Sequence, residues 1–169
     1  MSKQSDLHDR VARAAADFGA AADEVDGAVA DVLGVNRTDL RIVGAVALAG
    51  ELSAGALARA VALSPAATTT AVQRLIAAGH LTREVDPADR RRTVLALTPG
   101  AAAQIERAYG PVAAEGRRAL DDYTPAELAV VERFLTEGVA LQRAHATRIR
   151  AADAYRDGDS MPSRRRSRP

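Results

Sequence analysis

Between Thr38 and Leu97 the spacing of apolar residues changes from helical to alternating, and this change restricts the fold more than any other feature of the chain. Thr38 can cap a helix that runs through the apolar stretch Ile42 to Ala49 and stops at Gly50. A second helix starts behind Ser53 and carries Leu57, Ala58 and Val61. A third has Ser64 as cap and Pro65 at its first position, where proline's missing N–H is harmless, and it ends near Gly79. Then Leu81 to Val85 alternates, Asp86-Pro87-Ala88-Asp89 is turn chemistry, and Thr93 to Leu97 is β-rich. The expectation is three short helices with tight joints, followed by a two-stranded hairpin with a charged tip.

Longer helices flank this core segment. Val11, Phe18, Val25 and Val32 recur every seven positions, and Leu7, Ala14, Ala22 and Val29 fill the places between them. The opposite face holds Asp9, Asp17, Asp23, Glu24 and Asp31, so the pattern predicts a long amphipathic helix ending near Gly34. Downstream, Thr98-Pro99 opens another helix, with Gly110-Pro111 as its expected kink or break. Thr124-Pro125-Ala126-Glu127 is a capping box around an N1 proline. The helix behind it carries Leu128, Val131, Leu135, Gly138 and Gln142 at helical spacing and should reach about Tyr155. The remaining tail, with Arg164, Arg165, Arg166 and Arg168 among Ser, Gly and Pro, is expected to be disordered.

Composition narrows the function. Alanine supplies 39 residues, about half of the 47% that count as hydrophobic, so a single chain has few side chains large enough for a deep core. Lys3 is the only lysine, which excludes Schiff-base and P-loop chemistry. Without cysteine there is no disulfide, thiolate metal site or thiol sensor. His8, His80 and His145 have no metal-ligand spacing, and no nucleophile elbow, HExxH or acid/base carboxylate pattern is present. No enzyme activity, metal or cofactor is expected. The longest apolar run, Ile42 to Ala49, is too short to cross a bilayer, and Met-Ser-Lys-Gln-Ser-Asp carries no secretory signal, so a soluble cytoplasmic protein is expected.

Helix, short helix, turn, helix and charged hairpin is the order of a winged helix-turn-helix that reads DNA. In the third short helix Thr68, Ala71, Val72, Leu75 and Ile76 are spaced to be buried, leaving Ala66, Thr69, Thr70, Gln73 and Arg74 outward or on the flanks. Three successive threonines are poor helix formers but suit an approach to phosphates and thymine methyls. Gln73 could pair with adenine, and Arg74 with guanine or phosphate; a tolerated polar surface is the plainer alternative. At the hairpin tip Asp89 can pair with one of Arg90, Arg91 and Arg92, for which Arg91 is the candidate, freeing another for the minor groove. Standing alone, that cluster would read as solvated charge. From Thr38 to Gly100 there are seven Arg against five acids, +2, so the basic residues gather where DNA would lie.

The stretch Asn36-Arg37-Thr38-Asp39-Leu40-Arg41, the Ser64-Pro65 helix with Val72-Gln73-Arg74-Leu75, and above all Asp86-Pro87-Ala88-Asp89-Arg90-Arg91-Arg92 followed by Leu95-Ala96-Leu97-Thr98-Pro99-Gly100 resemble the MarR family of bacterial transcriptional regulators. The likeness covers roughly residues 7 to 150. It implies a homodimer that binds a pseudo-palindromic operator in double-stranded DNA. It also implies regulation, usually repression, relieved by a small and often aromatic ligand. By the same resemblance Ser64, Thr69, Thr70, Gln73 and Arg74 would face the major groove, with Asp89 and Arg91 as the wing's ion pair and Arg90 or Arg92 left for DNA. Thr70 departs from the larger, often basic residue expected there in many relatives.

The expected architecture is therefore mainly α with a small β-hairpin wing, a winged helix-turn-helix flanked by N- and C-terminal dimerisation helices. Its parts are residues 1–37, 38–98, 99–155 and an Arg-rich tail at 156–169. Val11, Phe18 and Val25 of the first helix and Leu128, Val131 and Leu135 of the last are expected at the dimer contact, because an Ala-rich stripe left alone would expose a large apolar patch. Phe18, Val43, Val46, Ala47 and Tyr109 are candidates for an effector pocket, although core packing would explain each. The competing reading is a winged-helix protein that coats DNA or binds another protein without any effector.

Overall fold

A computed structural model describes residues 3–85, 89 and 93–158, apart from the side chains of Lys3 and 153–158. The order of elements is α1 (Lys3–Leu33), α2 (Arg37–Ala49), β1 (Glu51–Ser53), α3 (Ala54–Val61), α4 (Pro65–Ala77), β2 (Leu81–Val85), β3 (Thr93–Leu97), α5 (Pro99–Ala119) and α6 (Pro125–Gly158). The chain divides into two compact units, 1–113 and 114–169.

Local chemistry sets most boundaries. Ser53 and Ser64 cap α3 and α4 by accepting the amides of Ala56 and Ala67 at 3.3 and 3.2 Å. Gly34 takes a φ of +65° directly after α1, a left-handed turn that glycine makes without a Cβ clash. The cap of α2 differs from the sequence expectation: Asn36, not Thr38, accepts the Asp39 amide at 2.9 Å, and the helix starts at Arg37. Asn and Thr both suit a cap, and the turn from α1 places Asn36 first. Thr98 joins two elements, since its hydroxyl accepts the Ala101 amide at the start of α5 and donates to the Gly79 carbonyl behind α4.

Two further differences concern the sheet and α5. The expected two-stranded hairpin is a three-stranded antiparallel sheet of order β1-β3-β2, with Leu52 opposite Leu95 and Arg83 opposite Leu95 on the other side. Glu51 to Ser53 is too short to show alternation. Pro111 does not break α5, which is continuous from Pro99 to Ala119. The proline removes one amide donor to the carbonyl four residues back, a local loss that the rest of the helix tolerates.

In the first unit the core is built from one face of each element. Ile42, Val43 and Val46 of α2 meet Leu57 and Val61 of α3, Ala71, Val72 and Leu75 of α4, Leu81 of β2 and Leu95 of β3. Each fully buried Leu or Ile here contributes about 1.5–3 kcal/mol. A second cluster packs Val29, Ala30 and Leu33 of α1 on Leu40 of α2, flanked by Ile105, Ala108 and Tyr109 of α5. Further back along α1, Leu7, Val11, Phe18 and Val25 remain exposed.

The second unit holds the end of α5 and all of α6. Thr124 and Glu127 form the expected capping box: the Thr124 amide donates to Glu127 Oε2 at 2.8 Å, and the Glu127 amide returns to Thr124 Oγ1 at 3.4 Å. The bonds from the Thr124 hydroxyl and amide hold the Glu127 carboxyl below its usual range. α6 continues to Gly158, beyond the expected end at Tyr155. The Arg-rich residues after it lie outside the described residues. Val130, Val131, Phe134, Leu135 and Val139 of α6 are exposed. Among the described residues, no helix is long and apolar enough to cross a membrane.

Candidate nucleic-acid interface

The outward face of α4 follows from its inward one. Thr68, Ala71, Val72 and Leu75 are buried, as the spacing predicts, and Ile76 is partly so. That fixes the rotation of the helix and leaves Ser64, Thr69, Thr70, Gln73 and Arg74 exposed. Thr69 and Thr70 donate their hydroxyls to the carbonyls of Pro65 and Ala66 at 2.9 and 3.2 Å. This back-bonding lets β-branched residues sit in a helix interior. What remains for a partner is a methyl group and oxygen lone pairs, the complement of a thymine methyl or an exocyclic amine.

Arg74, exposed on the flank of α4, is also tied back to α2. Its Nε and Nη2 donate to Oδ2 and Oδ1 of Asp39 at 2.8 and 2.6 Å, a bidentate pair between α4 and α2. Asp39 is 3% exposed and also accepts Asn36 Nδ2 at 3.0 Å. The Asp39 hydrogen bond, and then its charge, hold the Arg74 guanidinium still more firmly protonated than usual. The arginine's exposed flank position in α4 and the acid in the first turn of α2 are the only sequence signals of this pair.

Asn36 to Arg41 thus forms a junction. Arg37 pairs with Asp23 of α1 and also donates to the Asp23 carbonyl at 3.3 Å. Asp39 holds α4, and Arg41 Nη2 donates to the Val61 carbonyl at the end of α3 at 2.8 Å. One turn of α2 therefore ties together α1, α3 and α4 at this end of the unit. Arg37, Thr38, Leu63, Ala67, Thr70 and Arg74 border an open groove of about 610 Å³ beside α4.

The wing is described only in its strands. β2 and β3 pair from Leu81 opposite Leu97 to Val85 opposite Thr93. Asp89 lies in irregular backbone at the tip, while Arg90, Arg91 and Arg92 lie outside the described residues.

The residues expected to line an effector pocket are not brought together. Val43 and Val46 are fully buried at helical spacing in the core, whereas Ala47 is exposed on another face of α2. Phe18 is 72% exposed, and Tyr109 is bonded to Asp26. Core packing accounts for the two valines. At the expected dimer contact Val11, Phe18, Val25, Val131 and Leu135 are exposed and Leu128 is partly buried.

Comparison with known proteins identifies relatives of this fold. The model of the MarR family matches residues 33–92, from the end of α1 to the residue before β3. YcgE of Bacillus subtilis (strain 168), described as an uncharacterized HTH-type transcriptional regulator, is 30% identical over 123 residues, 73% of this chain and 80% of that one. RV1404 from Mycobacterium tuberculosis shares the fold at a TM-score of 0.59 and 21% identity, covering 83% of this chain and 94% of that one. Wild-type MarR from E. coli, in its apo form, does so at 0.51 and 20%, covering 75% and 94%. The chain belongs to the MarR family, winged-helix DNA-binding regulators of transcription rather than enzymes.

Proposed function

We propose that two copies of this chain bind a pseudo-palindromic operator, each placing α4 in the major groove and its wing beside the minor groove, and that binding represses transcription until a small effector releases it. The observation that carries the DNA-reading part is the exposed line of Thr69, Thr70 and Gln73 on a helix whose opposite face is locked in the core. Support for the dimer comes from apolar side chains left uncovered on α1 and on α6, including Phe18 and Leu135 at 72% and 51% exposure. A two-fold axis between copies would put the two α4 helices about 34 Å apart, one DNA turn.

Repression and an aromatic effector rest on family likeness. An effector would work by favouring a spacing of the two α4 helices that no longer fits one DNA turn.

The test is a fluorescence titration of the protein against DNA upstream of its own gene and against a scrambled duplex, at low and moderate salt. A preference of about a thousandfold or more for the upstream DNA at moderate salt is expected. Equal and steeply salt-dependent binding would replace the operator-specific reading with a DNA coat, and no binding would replace it with a protein-interaction module. Titration of phenolic acids into the complex, read as loss of bound DNA, tests the effector.

A further inference from the structure

A carboxylate that is 3% exposed and accepts three hydrogen bonds, two of them from one guanidinium, does more than neutralise charge. Arginine has two bidentate edges. Asp39 occupies the Nε and Nη2 edge of Arg74, so the guanidinium plane is fixed and its other edge, Nη1 with the second N–H of Nη2, is aimed away from Asp39. Among the described residues nothing accepts a hydrogen bond from that second edge, and half of the side-chain surface is open to solvent.

Where that edge lies decides what it can meet. Thr69, Thr70 and Gln73 form the outward line of α4, whereas Arg74 stands on its flank beside the first turn of α2 and borders the open groove with Thr38 and Thr70. A helix lying in the major groove turns its outward line to the base edges and its flanks to the two phosphate strands. Arg37 and Thr38 of the first turn of α2 border the same groove, and the start of a helix favours an anion.

We infer that Asp39 is a positioning residue for DNA binding, holding Arg74 so that its free two-donor edge meets a backbone phosphate beside α4. Arg74 is then a phosphate contact and reads no base. This inference rests on the DNA-binding reading above and goes beyond it by assigning the pair a role in the complex.

Charge and geometry predict opposite signs for one substitution, which makes the inference testable. Asp39→Asn removes a negative charge near the phosphates. If charge alone mattered, the variant would bind every duplex more tightly and with a steeper salt dependence. If Asp39 positions Arg74, binding weakens by about tenfold on operator and scrambled duplex alike. Arg74→Lys keeps the charge but has no second edge, so it should weaken binding by a similar factor with the salt slope unchanged, while Arg74→Ala should also lower the slope by about one.

Affinities are measured by fluorescence titration against salt and are expressed per folded protein, with thermal melts reporting the folded fraction. Should Asp39→Asn fail to fold, Arg74→Lys on its exposed flank carries the test alone. Tighter binding by Asp39→Asn, unchanged binding by Arg74→Lys, or a loss confined to the operator would overturn the inference. Wild-type protein that binds neither duplex would overturn the DNA-binding reading and this inference with it, whereas wild-type binding with indifferent variants would remove only the inference.

Discussion

Tyr109 Oη donates a 2.6 Å hydrogen bond to Oδ1 of Asp26, linking α5 to α1 across 83 positions of sequence. The bond lies beside the small apolar cluster of Val29, Ala30, Leu33 and Leu40. It supplies a directional contact where the α1 packing is thin, since only the last part of that helix is buried in the first unit. Partial burial, and then the carboxylate of Asp26, push the Tyr109 phenol up to about 12.

Tyr109→Phe should therefore destabilise the first unit by about 1 kcal/mol at neutral pH, the usual net value of one such bond. The sign of its pH dependence follows from the raised value. Folding favours the protonated phenol, so its contribution is complete below the ordinary tyrosine value of about 10 and is lost as pH rises from there through about 12. Chemical denaturation of both proteins across that window should show their difference shrinking. Phenolate absorbance should show a step near pH 12 in the wild type that is missing in Tyr109→Phe. A constant difference would mean that the bond is absent in solution.

Ala62 ends α3 with a φ of +53° and a ψ of +46°, the left-handed region that costs an L-residue with a Cβ about 1 kcal/mol or more. Its amide and that of Leu63 reach back to the carbonyls of Arg59 and Ala58 at 3.4 and 3.1 Å, a helix-end pattern usually completed by glycine. Ala62→Gly should raise stability by about 0.5–1 kcal/mol, with DNA affinity unchanged because Ala62 lies outside the α4 face. Thermal and urea melts check this; a destabilised variant would show that the strain is absent.

Ala62 also shows where sequence reading stops. Caps at Ser53, Ser64, Thr98 and Thr124 are legible because a short polar side chain has a local role that spacing reveals. A left-handed alanine carries no such mark, since the surrounding helices impose its conformation. The same holds for the site. Which face of α4 points outward follows from Thr68, Ala71, Val72 and Leu75 alone, but that Arg74 turns back to Asp39 depends on a contact 35 residues away. In the sequence Val43 and Val46 suit a pocket wall as well as a core, and the packing of α3 and α4 against them puts them in the core.

The apolar line on α6 leads to a prediction about assembly. Val131 and Leu135 lie one turn apart and are 37% and 51% exposed. Replacing both with Glu should leave the helical content and the melting of the first unit intact but shift the protein to monomer in sedimentation. Operator affinity should then fall at least tenfold, because each half-site is bound without the help of the other. A double variant that remains dimeric would move the contact away from this face of α6.

Gln73 and Arg74 are adjacent in sequence, yet α4 gives them different tasks. Gln73 follows Thr69 and Thr70 by one turn on the exposed line, and its amide can donate to and accept from one adenine edge. Gln73→Ala should therefore lose about 1–3 kcal/mol on the operator and little on a scrambled duplex. Its salt slope should stay that of the wild type, since no charge is removed. Because the Arg74 variants are expected to lose affinity on both duplexes, titrating the two sets on the same DNA separates base reading from phosphate holding within one turn of helix. An equal loss on both duplexes for Gln73→Ala would make Gln73 a backbone contact and leave Thr69 and Thr70 as the sequence-reading residues of α4.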